Sequence, residues 1–125
     1  MTGRNGWVDA DWRIRYMTVK LEYRRDLYLG ESINVKKLDK IKKKLENKPL
    51  LSGVFLITLS RNPSDQLEIY SARLLVQKYY ATYPPYVIGL AGNHDEAVAM
   101  VQQLVQECLE KRGDCALKEY LLCQT

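Results

Sequence analysis

The run Tyr86-Val87-Ile88-Gly89-Leu90-Ala91-Gly92-Asn93-His94-Asp95-Glu96 leads an apolar strand pattern into a glycine turn and then into a helix start. That order offers backbone N–H groups and the positive end of a helix dipole to an anion at the carboxyl edge of a parallel sheet. A second loop, Ser60 to Ser64, would reach the same edge if the strand before it also ran parallel. The predicted anion site is therefore Arg61, Ser64, Gly92, Asn93 and His94. Asp95 and Glu96 share that first turn and would repel a phosphate, so ordinary helix capping competes with ligand binding. The segment lacks the third glycine and downstream acid of a dinucleotide fingerprint, and no P-loop lysine pattern occurs.

His94 is the only histidine, so every histidine-dependent mechanism must pass through it. A Cys–His dyad is excluded within its helix by length, because Cys108 lies about 20 Å and Cys115 about 30 Å along the axis at 1.5 Å per residue. Ser60 or Ser64 with His94 and Asp95 would make a serine triad on the shared edge, but no nucleophile-elbow pattern supports it. One histidine and three cysteines at spacings of seven and eight residues match no zinc pattern, and no cofactor is expected. Cys108 falls on an apolar stripe and reads as a small core residue.

The other chemical feature is cationic. Lys36, Lys37, Lys40, Lys42, Lys43, Lys44 and Lys48 lie within thirteen residues and account for the formal charge of +4. Lys36, Lys40, Lys43 and Lys44 are the candidate nucleic-acid contacts, with Arg15, Lys20, Arg24 and Arg25 interleaved with Tyr23 and Tyr28 nearby. Plain solvation of an amphipathic helix is the competing explanation. Nine tyrosines stand against one phenylalanine, and Tyr79, Tyr80, Tyr83 and Tyr86 surround Pro84-Pro85. Amphipathic aromatics beside a rigid loop suit a protein interface or a half-buried core rim.

These residues need elements to hold them. Met17, Val19, Leu21 and Tyr23 alternate with polar residues, and the odd-position pattern resumes at Leu27 and Leu29, which predicts one bent strand or an interrupted one. Ser32 or Asn34 then caps a helix with Val35, Leu38, Ile41 and Leu45 inward, ended by Asn47, Lys48 and Pro49. Val54 to Leu59 lacks alternation and reads as a strand covered on both faces. Asn62, Pro63 and Asp65 give three helix-start signals, predicting a helix over 63–80 with Leu67, Tyr70 and Leu74 inward. Ile69, Tyr70, Val76, Tyr79 and Tyr80 favour a strand instead, so a strand over 67–76 is the alternative. Tyr86 to Ala91 is another buried strand, and a helix over 93–112 is capped by Asn93 and Gly113 with Ala97, Val98, Val101, Leu104, Val105, Cys108 and Leu109 on one face. A short helix over 115–122 follows.

The expected fold is thus α/β, a small three-layer β-α-β-α-β-α domain with a mostly parallel sheet of three to four strands. The alternative is α+β, with 67–76 as a strand. Residues 1–16 read as an N-terminal extension, native or added and a candidate for disorder, and 17–125 as a single domain. No apolar run approaches the roughly 20 residues of a membrane span, and the N-terminus lacks a signal-peptide pattern. Three unpaired-looking cysteines at one end indicate a reducing compartment, hence a cytoplasmic protein.

At Leu21 to Glu31, Val54 to Ser60, Gln66 to Ser71 and Val87 to Ala99 the chain resembles a group of small bacterial single-domain proteins with no assigned activity. The resemblance spans about residues 17–122 and implies a bacterial, stand-alone cytoplasmic protein, with no catalytic residues to carry over. The function expected first is a non-catalytic accessory or regulatory module that binds a macromolecule or small anionic ligand, with a protein partner or self-association as a homo-oligomer and no membrane. The alternatives are a nucleic-acid- or nuclease-binding accessory factor of a mobile element, and a small enzyme working at the sheet edge.

Overall fold

A computed structural model describes residues 21–123. The predicted strand residues Met17, Val19 and Lys20, and the extension at 1–16, lie outside the described residues. The elements are β1 (Glu22–Leu29), α1 (Leu38–Asn47) after a 3-10 turn at Val35–Lys37, β2 (Phe55–Leu59) and β3 (Leu67–Ser71). A 3-10 segment at Ala72–Val76, α2 (Lys78–Thr82), β4 (Tyr86–Ala91), α3 (His94–Arg112) and α4 (Leu117–Cys123) complete the chain.

The four strands form one mixed sheet in the order β1-β4-β2-β3. Only β1 and β4 run parallel, while β2 is antiparallel to both β4 and β3, so the sheet is mostly antiparallel and not mostly parallel as expected. The cause is the loop after β2. Asn62 Oδ1 accepts from the Ser64 N–H at 3.0 Å, the Asp65 N–H donates to Asn62 O at 3.1 Å, and the Ser60 N–H donates to Gln66 O at 3.1 Å. Those bonds make a tight hairpin turn, which can join only antiparallel strands. An asparagine that receives the N–H two residues on serves equally in a turn or at a helix start, so Asn62, Pro63 and Asp65 carry signals common to both.

The helix predicted over 63–80 is therefore replaced by β3, a 3-10 segment and the short α2. The strand alternative within 67–76 is observed over Leu67–Ser71, where Ile69 and Tyr70 favour the extended backbone. Other expectations match the structure closely. Asn93 Oδ1 accepts from the Glu96 N–H at 2.8 Å, and Gly113 closes α3 at φ 82°, a left-handed position suited to glycine. Asn34 Oδ1 accepts from the Lys36 N–H at 3.0 Å and so caps the 3-10 turn Val35–Lys37, while α1 itself begins after Lys37 without a side-chain cap.

Both sheet faces are covered. Leu56, Tyr70, Val87 and Leu90 pack with Leu45 of α1 and Ala72 and Leu75 on one side. Ile57, Ile88 and Ala91 pack with Ala97, Met100, Leu104 and Cys108 of α3 and Leu117, Tyr120 and Leu121 of α4 on the other. Val87 and Leu90 share a face because the register against β2 shifts between Ile57 and Thr58, a bulge that resets the alternation of β4. β1 is irregular in the same way, its register on β4 jumping between Tyr23 and Tyr28. Val35, predicted inward, is 66% exposed, so the inner stripe of α1 reduces to Leu38, Ile41 and Leu45.

Candidate functional site

The antiparallel pairing of β2 with β4 separates the predicted anion site. Phe55 lies opposite Ala91 and Thr58 opposite Val87, so the end of β2 adjoins the start of β4. His94 touches Phe55 edge-on, with ring centroids 6.0 Å apart, at one end of the sheet. Arg61 follows the opposite end of β2, about 20 Å further along at 3.3 Å per residue, and its guanidinium donates to Pro84 O at 3.0 Å. Ser64 is committed to the hairpin turn beside it. Arg61 and Ser64 therefore do not meet Gly92, Asn93 and His94, and the Ser60/Ser64–His94–Asp95 triad has no common edge.

The parallel pair β1 and β4 does bring two loops together, and the chain's own carboxylate fills the junction. The Gly92 N–H and the Ser32 hydroxyl donate to Glu96 Oε1 at 2.9 and 2.8 Å, and the Ser32 N–H donates to Oε2 at 3.3 Å. The nest is closely fitted, since a Cβ at Gly30 would stand 1.9 Å from Glu96 Oε1 and one at Gly92 would stand 2.1 Å from Ser32 Oγ. Gly92 thus holds an internal anion in place of an external ligand, and Asn93 serves as the cap of α3. The Gly92 N–H chiefly, then Ser32, hold the Glu96 carboxyl below its usual value.

Because that value is lowered on folding, the stabilisation is complete above the ordinary pKa near 4.5 and is lost as pH falls through the lower folded value. Glu96→Gln should cost about 1 kcal/mol at neutral pH, a capping-scale effect in a solvent-facing site, and should flatten the acid limb of stability. Urea melts between pH 3 and 7 that match wild type throughout would show that the carboxylate does not hold the two loops together.

A polar cluster on the α3 side was not identified among the site residues from sequence. Tyr28 and Tyr120 donate their hydroxyls to Glu107 Oε2 at 2.8 and 2.6 Å. Arg24, only 3% exposed, stacks its guanidinium 5.2 Å from the Tyr28 ring centre. Tyr28, Leu29, Met100, Gln103, Leu104 and Glu107 line a cavity of about 260 Å³. The Tyr120 hydroxyl, then Tyr28, Lys111 and Arg24, lower the Glu107 pKa against the effect of burial. Burial and Glu107 raise that of Tyr28. At neutral pH the carboxylate is charged and the phenol protonated, both far from the balance that acid–base catalysis needs.

Glu107 lies outside the apolar face predicted for the helix over 93–112. Its spacing contained the signal: it follows Met100 by seven residues and Leu104 by three, on the margin of the apolar stripe. Tyr28 packs toward the α3 and α4 cluster and Arg24 is buried against its ring, while Glu22 and Asp26 of the same strand stay exposed.

The remaining surfaces are a cationic face and a tyrosine face. Lys36, Lys40, Lys43 and Lys44 are exposed, and Lys42 lies 4.7 Å from the Tyr23 ring centre. Tyr79 and Tyr83 are 50% and 47% exposed beside Arg61. Cys108 is buried on α3 and Cys115 is exposed, both as free thiols. Among the described residues no group of three or more His, Cys, Asp or Glu could hold a metal ion, and no helix is long and apolar enough to cross a membrane. Comparison of the chain with protein-family models, with curated proteins and with solved structures finds no match.

Proposed function

We propose that this protein is a non-catalytic accessory module that binds nucleic acid along the lysine face of α1. The observation that supports this reading is the concentration of charge: seven lysines against Asp39 and Glu46 over residues 34–48 exceed the net +4 of the whole chain. Successive residues of α1 turn by 100°, which sets Lys40, Lys43 and Lys44 on one side of the helix and Leu38, Ile41 and Leu45 on the other, with exposed Lys36 in the 3-10 turn just before it. The apolar three pack toward the core, so their packing fixes the direction in which the lysines project. Among the described residues no ion pair engages those four lysines.

Lys36 to Lys44 covers about 12 Å of helix axis. That length matches three to four nucleotides of one strand at 3.4 Å each, so four phosphate contacts are sterically reasonable. Exposed Arg25 on β1 adds positive charge outside the helix. The reading as a small-anion binder or edge enzyme has lost its common edge, and the helix start that would receive an anion holds Glu96.

The test is a titration of fluorescent single-stranded and duplex oligonucleotides at low salt. Binding should weaken with salt at a slope of about −3 in log K against log salt, since four contacts each contribute roughly 0.7–0.9. An absence of binding at low salt ends the proposal.

A further inference from the structure

The geometry points to a small-molecule site between β1 and α3, a half-open cavity that takes a neutral, fused-ring heteroaromatic through its ring N–H. Helix α3 packs chiefly over β2, β3 and β4, and β1 lies beyond them at the edge of the sheet. A gap of about 260 Å³ remains between the end of that strand and the helix. Tyr28 and Leu29 of β1 line one side, and Met100, Gln103, Leu104 and Glu107 of α3 line the other at the i, i+3, i+4 and i+7 spacing of one helix face.

Volume and walls set the body of the ligand. An apolar cavity of roughly 150 Å³ takes one benzene ring. A gap of about 260 Å³ therefore has room for two fused rings. Leu29, Leu104 and the Met100 thioether supply the apolar lining, and a thioether packs well against a flat aromatic.

Glu107 sets the polar requirement. Both phenols donate to its Oε2, Tyr28 at 2.8 Å and Tyr120 at 2.6 Å, and Oε1 accepts no hydrogen bond among the described residues. A carboxylate accepts at both oxygens, and a charged oxygen beside apolar walls is a strong acceptor, so the open one calls for a donor on the ligand. That donor need not be charged. Lys111 and buried Arg24 already stabilise the carboxylate, and the same two cations oppose a third. A neutral ring N–H provides the donor and the flat apolar body in one group.

The site is ordered before a ligand arrives. Tyr28 is held at its hydroxyl by Glu107 and at its ring by the Arg24 guanidinium, 5.2 Å from the ring centre. Glu107 is held in turn by Tyr120 of α4, so residues of β1, α3 and α4 fix the acceptor and little side-chain freedom is lost on binding.

The experiment titrates the full isotope-labelled chain with indole, 1-methylindole and tryptamine. Indole should shift amide signals of residues 28–29 and 100–107 and saturate in the millimolar range, as suits a ligand of its size. 1-Methylindole keeps the rings and lacks the donor, so it should bind about tenfold more weakly. Tryptamine adds an ammonium and should bind no more tightly than indole. Glu107→Leu should remove the difference between indole and 1-methylindole, and Gln103→Trp, at an exposed position, should block the cavity and abolish binding of both. Absence of a saturable indole shift, shifts centred elsewhere, or equal binding of indole and 1-methylindole to the wild-type chain overturns the proposal. Tighter binding of tryptamine also overturns it, since that would identify a cation site. The lysine helix packs on the opposite face of the sheet, so failure here leaves the nucleic-acid reading standing, and the reverse.

Discussion

Leu104→Asp is expected to leave no cooperatively folded protein at room temperature. Leu104 is 2% exposed on the inner face of α3, among Ile57, Ile88, Met100 and Cys108 of the same cluster. A carboxylate placed there without a partner costs several kcal/mol, or remains protonated at a similar cost, against a total stability of about 5–15 kcal/mol. Val101→Asp should do less damage, because Val101 is only partly buried. The sequence places Val101, Leu104, Val105 and Cys108 inward as a group, whereas the fully packed line is Ala97, Met100, Leu104 and Cys108. Circular dichroism melts of the two variants test the difference. A sharp transition for Leu104→Asp within a few degrees of wild type would show that α3 does not pack through this line.

Neutralising Lys36, Lys40, Lys43 and Lys44 together to glutamine should reduce oligonucleotide affinity by roughly a hundred- to a thousandfold near 0.1 M salt. The estimate follows from counterion release, since each lost phosphate contact removes close to one unit from the salt slope. Stability should be little changed or slightly improved, because all four side chains are exposed and repel one another. Fluorescence anisotropy at several salt concentrations measures both affinity and slope. A variant that keeps the wild-type slope would move the contact elsewhere on the chain.

How far the sequence was legible depended on whether a local signal had one structural meaning. Helix α3 was clear because Asn93, Gly113 and an apolar stripe agree, and the structure shows both caps in their expected roles, while the packed line runs through Ala97, Met100, Leu104 and Cys108 and leaves Leu109 40% exposed. Helix α1 was clear from its Leu38, Ile41 and Leu45 stripe, whereas Val35 falls in the 3-10 turn before it and is exposed. The Asn62-Pro63-Ser64-Asp65 segment was ambiguous because asparagine accepts a nearby N–H equally well in a turn and at a helix start. That one ambiguity propagated. A helix after β2 implies a crossover and a parallel sheet, whereas a turn implies a hairpin, so the whole placement of Arg61 relative to Gly92 hung on it.

The candidate sites were legible in proportion to their locality. The lysines of α1 form a surface by helix geometry alone, so periodicity places them together. Glu96 was visible as a first-turn acid, but its partner Ser32 is 64 positions away and only the β1–β4 pairing unites them. Glu107 with Tyr28 is likewise a product of packing between elements distant in sequence.

The most direct test of the central claim is a residue-resolved map of where nucleic acid binds. Amide shifts of the labelled chain titrated with a short single-stranded oligonucleotide at low salt would supply it. The largest changes should fall on residues 34–48, follow Lys36, Lys40, Lys43 and Lys44, and fade as salt is raised. Changes centred on Gly92 to Glu96, or spread evenly over the molecule, would contradict a working surface on the lysine helix.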